Sequence, residues 1–427
     1  MNKVILVATL AVLFVGQDVW SADIRKKPST CEENLNQEIT PQMKRARQLY
    51  TALTGTPIAY CDEKIERMTI YLAAGRARDA VRVAIADPDF YNIKVRELAS
   101  RICTFENTTR TPVNDCIALV VGAVRDGLDA RELLTGNFFY MIDRAKATGA
   151  TRSSVINDVL KSNNHYAQVD DLELSMYHVL MKVDGQKIVD PKNNNNVISA
   201  QDPAGAITTR SWMMAHAFAG TNRRLVEKSF EQFLCSPIRE WADNTMPDTY
   251  VGRDVTRTPG DEPAKYLVTC KGCHAPMDSM RSVFAHADWS SDSNTGNNTF
   301  YRYDPTQVTP KMNRNTNETP TLTYLITDDT FDNYATKGAN AARFGWRGST
   351  TGKSMNEFAS MLANSEQFNR CMATHVFKTV CGRLPEPELK TLIDTYARDF
   401  DQNEKRDLRV LFERIALRPE CTGDGNQ

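Results

Sequence analysis

Apolar residues recur at three- and four-residue spacing, with charges between them, over residues 41–53, 62–74, 77–86 and 93–103. That is the stripe of an amphipathic helix. Residues 107–112 interrupt it with three threonines, an arginine and a proline, and a further helix is expected from near Asn114 to about Val124. Residues 181–189, MKVDGQKIV, alternate on either side of Asp184-Gly185, the turn chemistry of a two-residue β-hairpin. The asparagine run within 192–196 reads as a surface loop. Helical spacing returns at Arg210 and runs through SWMMAHAFAGTNRRLVEKSFEQFLC to Cys235. Residues 288–319, rich in Ser, Asn, Thr and Asp, read as a solvated loop. Two helices are expected in 354–397, the first carrying Met355, Phe358, Met361, Leu362 and Phe368 on one core-facing stripe. The pattern predicts a mainly α fold with long loops and a small β-hairpin, and it contains no internal repeat.

The N-terminus changes the setting. Lys3 precedes a twelve-residue apolar run from Val4 to Val15, interrupted only by Thr9, and small and polar residues follow. This is the layout of a secretory signal peptide, residues 1–21, with cleavage expected after Ser21. The run is too short for the roughly 20 residues that span a bilayer. An exported, periplasmic protein with no integral membrane segment is expected. The formal net charge of -1 argues against a nucleic-acid surface. Roughly 400 remaining residues suggest two or three domains.

Ten cysteines in an exported chain point to disulfides. Cys103 and Cys116 close a helix hairpin and form the first expected pair; Cys31 and Cys61 are the nearest second pair. Cys371 and Cys381 are expected on one helix, roughly 15 Å apart at about 1.5 Å per residue. A disulfide cannot bridge that distance. Each must pair elsewhere, with Cys235 and Cys421 as the available partners.

Cys270, Cys273 and His274 stand in the order C-x-x-C-H within VTCKGCHAPM. In c-type haem attachment two thiols add across the porphyrin vinyl groups, and the following histidine ligates the iron. With ten Cys and six His in 427 positions, chance would produce the arrangement in roughly one such chain in three hundred. A thioredoxin-like pair needs a βαβ context, which does not precede Cys270. A zinc site needs a second close pair of ligands. One covalent haem c, bound by Cys270, Cys273 and His274, is therefore expected. Lys271 and Gly272 fill the x positions, and a small residue there lets the backbone approach the ring. Candidates for the second axial position are Met213, Met214, His216, Met246, Met277, Met280, His286 and Met312. Met277 and Met280 follow His274 too closely to cross the ring, and Met312, in a separate loop, is the expected distal ligand. His165, His178 and His375 read as structural or exposed. Asp288, Asp292 and Asn294 miss the spacing of a calcium loop.

The stretch from Arg210 to Asp278, together with ELLTGNFFYMI and CMATHVFKTVCGRLPEPELKTL, resembles the planctomycete-type cytochrome c proteins and their relatives in predatory and other Gram-negative bacteria. The resemblance covers about residues 45–421. It implies thioether bonds at Cys270 and Cys273 and iron ligation by His274. The chain departs from the family pattern at Ser279-Met280-Arg281, where larger relatives carry a Pro-x-Gly turn. The expected organisation is a helical N-terminal domain (22–150), a linker region with the hairpin (151–219) and a c-type cytochrome-like haem domain (220–427). A single C-x-x-C-H favours electron transfer with a redox partner protein over catalysis. The alternatives are a haem enzyme of peroxidase or oxidase type with an open iron position, and an envelope protein whose long helical region binds a partner.

Overall fold

The computed structural model describes residues 38–104, 111–147, 156–190, 196–217, 220–291, 299–314 and 324–422. Its first part holds α1 (Pro41–Thr54), α2 (Glu63–Ala73), α3 (Ala77–Ile85), α4 (Arg96–Cys103) and α5 (Asp115–Asp126). Side-chain caps start three of them. Thr40 accepts from Met43 N ahead of Pro41, and Gly55 closes α1 in the left-handed region at φ 73°. Asp62 caps α2 through Lys64 N, and Asn114 caps α5 through Ile117 N. A π turn, Phe90–Val95, leads into α4, so this helix starts later than its apolar spacing suggests.

The small sheets correct the expected hairpin. β1 (Phe138–Ile142) pairs antiparallel with β2 (Leu180–Asp184), and β3 (Lys187–Asp190) pairs with β4 (Asn196–Ser199). Residues 181–189 thus supply two strands, but not to each other. Gly185 adopts the positive φ of 78° that the Asp-Gly turn predicts. Its N–H nevertheless donates to Asn137 O at 2.8 Å, and Gln186 N donates to Asn137 Oδ1 at 2.7 Å. The reason lies in β1: all five of its residues are buried, and a buried backbone needs a ladder partner. β2 meets that need.

The helical run expected from Arg210 to Cys235 is split into α6 (Arg210–His216) and α7 (Arg223–Leu234). Gly220 and Asn222 turn the chain at φ 81° and 63°, and Asn222 Nδ2 donates to the carbonyls of Phe284 and Ala287. Then come α8 (Lys271–Asp278), the antiparallel pair β5 (Ala287–Ser291) and β6 (Thr299–Tyr303), and the pair β7 (Thr330–Asp332) and β8 (Thr351–Lys353). The polar stretch expected as plain loop therefore contains a strand pair. α9 (Met355–Ala363) and α10 (Glu366–Cys381) are separated where Ser365 caps the second through Phe368 N, which places Phe368 on α10 rather than on the α9 stripe. α11 (Lys390–Gln402) and α12 (Leu408–Ala416) complete the labelled helices.

The fold is mainly α. One apolar cluster runs from Ala46 to Ala416 across the boundaries drawn at 150 and 219. The C-terminal helices return to the N-terminal ones: Phe412 packs edge-on against Phe90 at 4.9 Å, and Arg82 pairs with Glu413 at 3.0 Å. Each fully buried large apolar side chain contributes about 1.5–3 kcal/mol.

Disulfides join Cys103 to Cys116, Cys235 to Cys371 and Cys381 to Cys421. Cys371 and Cys381 share α10 and pair off it, as helix geometry requires. The Cys31–Cys61 pairing lies outside the described residues because Cys31 does. The expected signal peptide also lies outside them. Among the described residues no helix is long and apolar enough to cross a membrane.

Candidate functional site

Cys270 ends a π turn, Tyr266–Cys270, and stands at the head of α8, which carries Cys273 and His274. Both cysteines are free thiols, neither fully buried nor fully exposed. Leu267 and Val268, on the same approach, are 52% and 70% exposed. Two other residues of the motif region determine what packs on this helix. Pro276 has no N–H to offer the carbonyl four residues earlier, so Gly272 O is left over. Asp243 N donates to it at 2.8 Å. A Cβ on residue 272 would stand 2.5 Å from Asn244 Oδ1. The small residue at this x position thus admits a protein side chain, Asn244, whose Nδ2 also donates to Val268 O at 3.4 Å.

Behind the motif lies a buried charge network. Asp278, four residues after His274, accepts from Arg223 Nε at 2.5 Å, from Arg223 Nη2 at 2.7 Å and from Gly252 N at 2.9 Å. Arg223 also grips Asp254, with Nη2 donating at 2.9 Å. Arg281 is fully buried, with Nε 3.6 Å from Asp278 and Nη1 4.0 Å from Asp254. Two guanidiniums thus face two carboxylates. Burial alone would raise the Asp278 carboxyl, but Arg281 and Arg223 hold it below the usual carboxylate range. Asp254 is likewise held at about 2, Arg223 outweighing the effect of burial.

Burial pushes the His274 imidazole down despite the nearby Asp278 carboxylate, and its Nδ1 is buried with no hydrogen-bond partner among the described residues. Burial raises the Cys273 thiol, and Glu227 adds to the rise. The site therefore presents two unbridged thiols beside a buried imidazole.

Cys270 packs, with Tyr334, against a cluster of Met246, Val251, Val255, Tyr266 and Ala275. Met312 is buried in another cluster, with Ala285 and Ile326, and does not share the one that contains Cys270. Met213, Met277 and Met280 belong to the large core, and Met214 is 44% exposed. His286 Nδ1 lies 2.9 Å from Gln307 O. His216 is fully buried against Trp212, ring centres 4.4 Å apart, and neither ring nitrogen has a partner among the described residues.

The remaining histidines have structural settings or lie exposed. His165 Nε2 accepts from Ile142 N at 2.8 Å, His375 Nε2 lies 2.8 Å from Gln232 O, and His178 is exposed. His375 also stands 3.7 Å from Cys235 Sγ, but that sulfur and its neighbour on Cys371 are bonded to each other. Of the calcium candidates, Asp288 pairs with Lys311 at 2.5 Å, and Asp292 and Asn294 lie outside the described residues. At Ser279-Met280-Arg281, Ser279 Oγ donates to Pro276 O at 3.0 Å and Ser279 O accepts from Asp332 N at 2.9 Å.

Sequence reasoning passed over Arg223, Asp254, Asp278 and Arg281. The readable signal was the i, i+3 pair Asp278 and Arg281, directly after the motif. Among known proteins the chain matches no family model, no curated protein and no solved structure.

Proposed function

We propose that the protein is an exported, single-haem c-type cytochrome-like protein that exchanges electrons with a redox partner protein. Cys270 and Cys273 would hold the haem through thioether bonds, and His274 would ligate the iron. The observation that carries this reading is the pairing pattern of the cysteines. Cys61, Cys103, Cys116, Cys235, Cys371, Cys381 and Cys421 are disulfide-bonded, whereas the two motif thiols stay free on one helix turn beside His274. The orphan His274 Nδ1 and the exposed Leu267 and Val268 also fit a planar, apolar group at this place.

Haem, when bound, supplies a one-electron couple. The chain's own residues would orient it. Asp278, fixed by Arg223 and Gly252, holds the motif helix in one position. Arg223, Arg281, Asp254 and Asp278 sum to zero formal charge behind His274. Such surroundings, with the axial ligands, set a haem potential.

The test is expression with a c-type haem maturation system, acid-acetone precipitation, and a reduced pyridine haemochrome spectrum of the pellet. Haem retained in the pellet, with the α band shifted as thioether linkage requires, supports the proposal. Haem released to the solvent, or never acquired, overturns it.

A further inference from the structure

Away from the motif, β1, β3, β6 and the start of α6 enclose a cavity of about 30 Å³. Its walls are chiefly apolar, with Phe139, Val159, Leu160, Ile188 and Val189 among them. We propose that this cavity binds a short aliphatic monocarboxylate, of acetate or propionate size, whose carboxylate pairs with Arg210. The inference is independent of the haem reading.

Most polar groups on the wall are spent on the fold itself. Tyr166 Oη donates to Tyr140 O at 2.6 Å, Thr208 Oγ1 to Gln186 Oε1 at 2.5 Å, Gln186 Nε2 to Gly205 O at 2.9 Å, and Thr209 Oγ1 to Ala206 O at 2.7 Å. Lys187 is partly exposed, and its Nζ donates to Ser199 Oγ at 3.0 Å. The Asp115 carboxylate takes the backbone N–H groups of Cys116, Arg210 and Ser211 at 3.0, 2.6 and 3.0 Å.

Arg210 is different. It is 6% exposed, yet among the described residues its guanidinium forms no ion pair and its Nε–H has no partner. Nη2 reaches Asn163 Oδ1 only at 3.5 Å, and Nη1 reaches only the weakly accepting Sδ of Met214 at 4.0 Å. Arg223 and Arg281, buried elsewhere in the chain, both face carboxylates. A buried charge without a counterion is costly, and a planar carboxylate matches the guanidinium fork. The apolar walls favour an organic anion over an inorganic one. A water needs about 10–15 Å³ of such room, so the cavity takes the tail of propionate and excludes that of a fatty acid.

The test is thermal unfolding of the full chain at constant ionic strength, titrated with sodium formate, acetate, propionate and hexanoate, and with sodium chloride. Tm is expected to rise with propionate and not with chloride. Affinity is expected to grow about fourfold per methylene from formate to propionate and to fall at hexanoate. Arg210→Gln is expected to weaken propionate binding by about tenfold or more. Arg210→Met, which removes the unpaired charge, is expected to raise Tm without ligand and to abolish the response to propionate. An equal shift from chloride, an affinity indifferent to chain length, no shift in the wild type, or an undiminished shift in both variants overturns the assignment. A second measurement needs no variant: nuclear Overhauser contacts from isotope-labelled propionate to the Ile188 side chain support the site in the wild type, and their absence at saturation overturns it.

Discussion

Replacing Asp278 with Asn tests whether the buried network holds the motif helix. Two hydrogen bonds from Arg223 and one from Gly252 N end on this carboxylate, and fully buried Arg281 stands 3.6 Å away. Asn keeps the shape and one acceptor oxygen but removes the charge, and its amide presents N–H groups to a guanidinium. A hydrogen bond to a charged group is worth about 1.5–3 kcal/mol, and between one and two are lost. Two buried guanidiniums would then share one carboxylate, Asp254. The first route gives about 1.5–6 kcal/mol; removing one partner of a buried pair costs about 3–5 kcal/mol, which lies within that range and is the expected loss. Urea unfolding of the disulfide-intact protein, followed by circular dichroism, measures it. Asp79→Asn is the control, because among the described residues Asp79 pairs with Arg76 and Arg82, both more than half exposed; no measurable change is expected there. An Asp278→Asn protein as stable as the Asp79→Asn control would refute the assigned role of the network.

Gly272→Ala sets two effects against each other. Ala gains about 1 kcal/mol of helix propensity over Gly, but its Cβ would meet Asn244 Oδ1 at 2.5 Å, and overpacking costs about 1–3 kcal/mol. A net loss of about 1 kcal/mol is expected from denaturant unfolding, reversed in the Gly272→Ala, Asn244→Ala double variant; a double variant no better than the single would refute the contact. Stability should also fall on acidification below about pH 6.5. Burial pushes His216 down to about 3 and His375 down to about 4, against about 6.5 when unfolded. Both folded values are depressed, so between about pH 6.5 and 4 the unfolded chain binds one proton at each of these two histidines that the folded chain does not, and His274, also pushed down by burial, acts in the same direction. Each contributes a slope of about 1.4 kcal/mol per pH unit. Unfolding free energies measured from pH 7 to 4.5 should show at least that combined slope, and His375→Gln should lower it by about 1.4 kcal/mol per pH unit; an unchanged slope would remove His375 from the account.

How much of this could be read in advance depended on the range of the interaction. The caps at Thr40, Asp62 and Asn114 act within three residues, so the helices they start were legible within a few positions. The pairing of Cys371 and Cys381 off their shared helix was also legible, because helix rise alone forbids the bond between them. The partner of β2 was not: Asp184-Gly185 dictates a turn, but whether the arms pair depends on β1, some forty residues upstream. The charge network was hidden for a different reason. Arg223 and Arg281 look like surface residues until Asp254 and Asp278 are known to face them, and burial of a charge is a property of the group rather than of any member.

The motif itself contained more than its spacing disclosed. C-x-x-C-H states which atoms can bond a haem, and says nothing about what packs on the helix. Gly272 and Pro276 supply that second message: one leaves a gap for a side chain, the other leaves a carbonyl unpaired. A buried unpaired carbonyl requires a donor, and a gap on a helix face requires an occupant. Asp243 and Asn244, adjacent in sequence, meet both demands at once. Once they are seated, Met246 has little freedom, because Asp248 is tied to Tyr266 two residues further on. The identity of the residue beside Cys270 therefore follows from a glycine and a proline in the motif helix, through backbone hydrogen bonding, and not from proximity of the methionine to the motif in sequence.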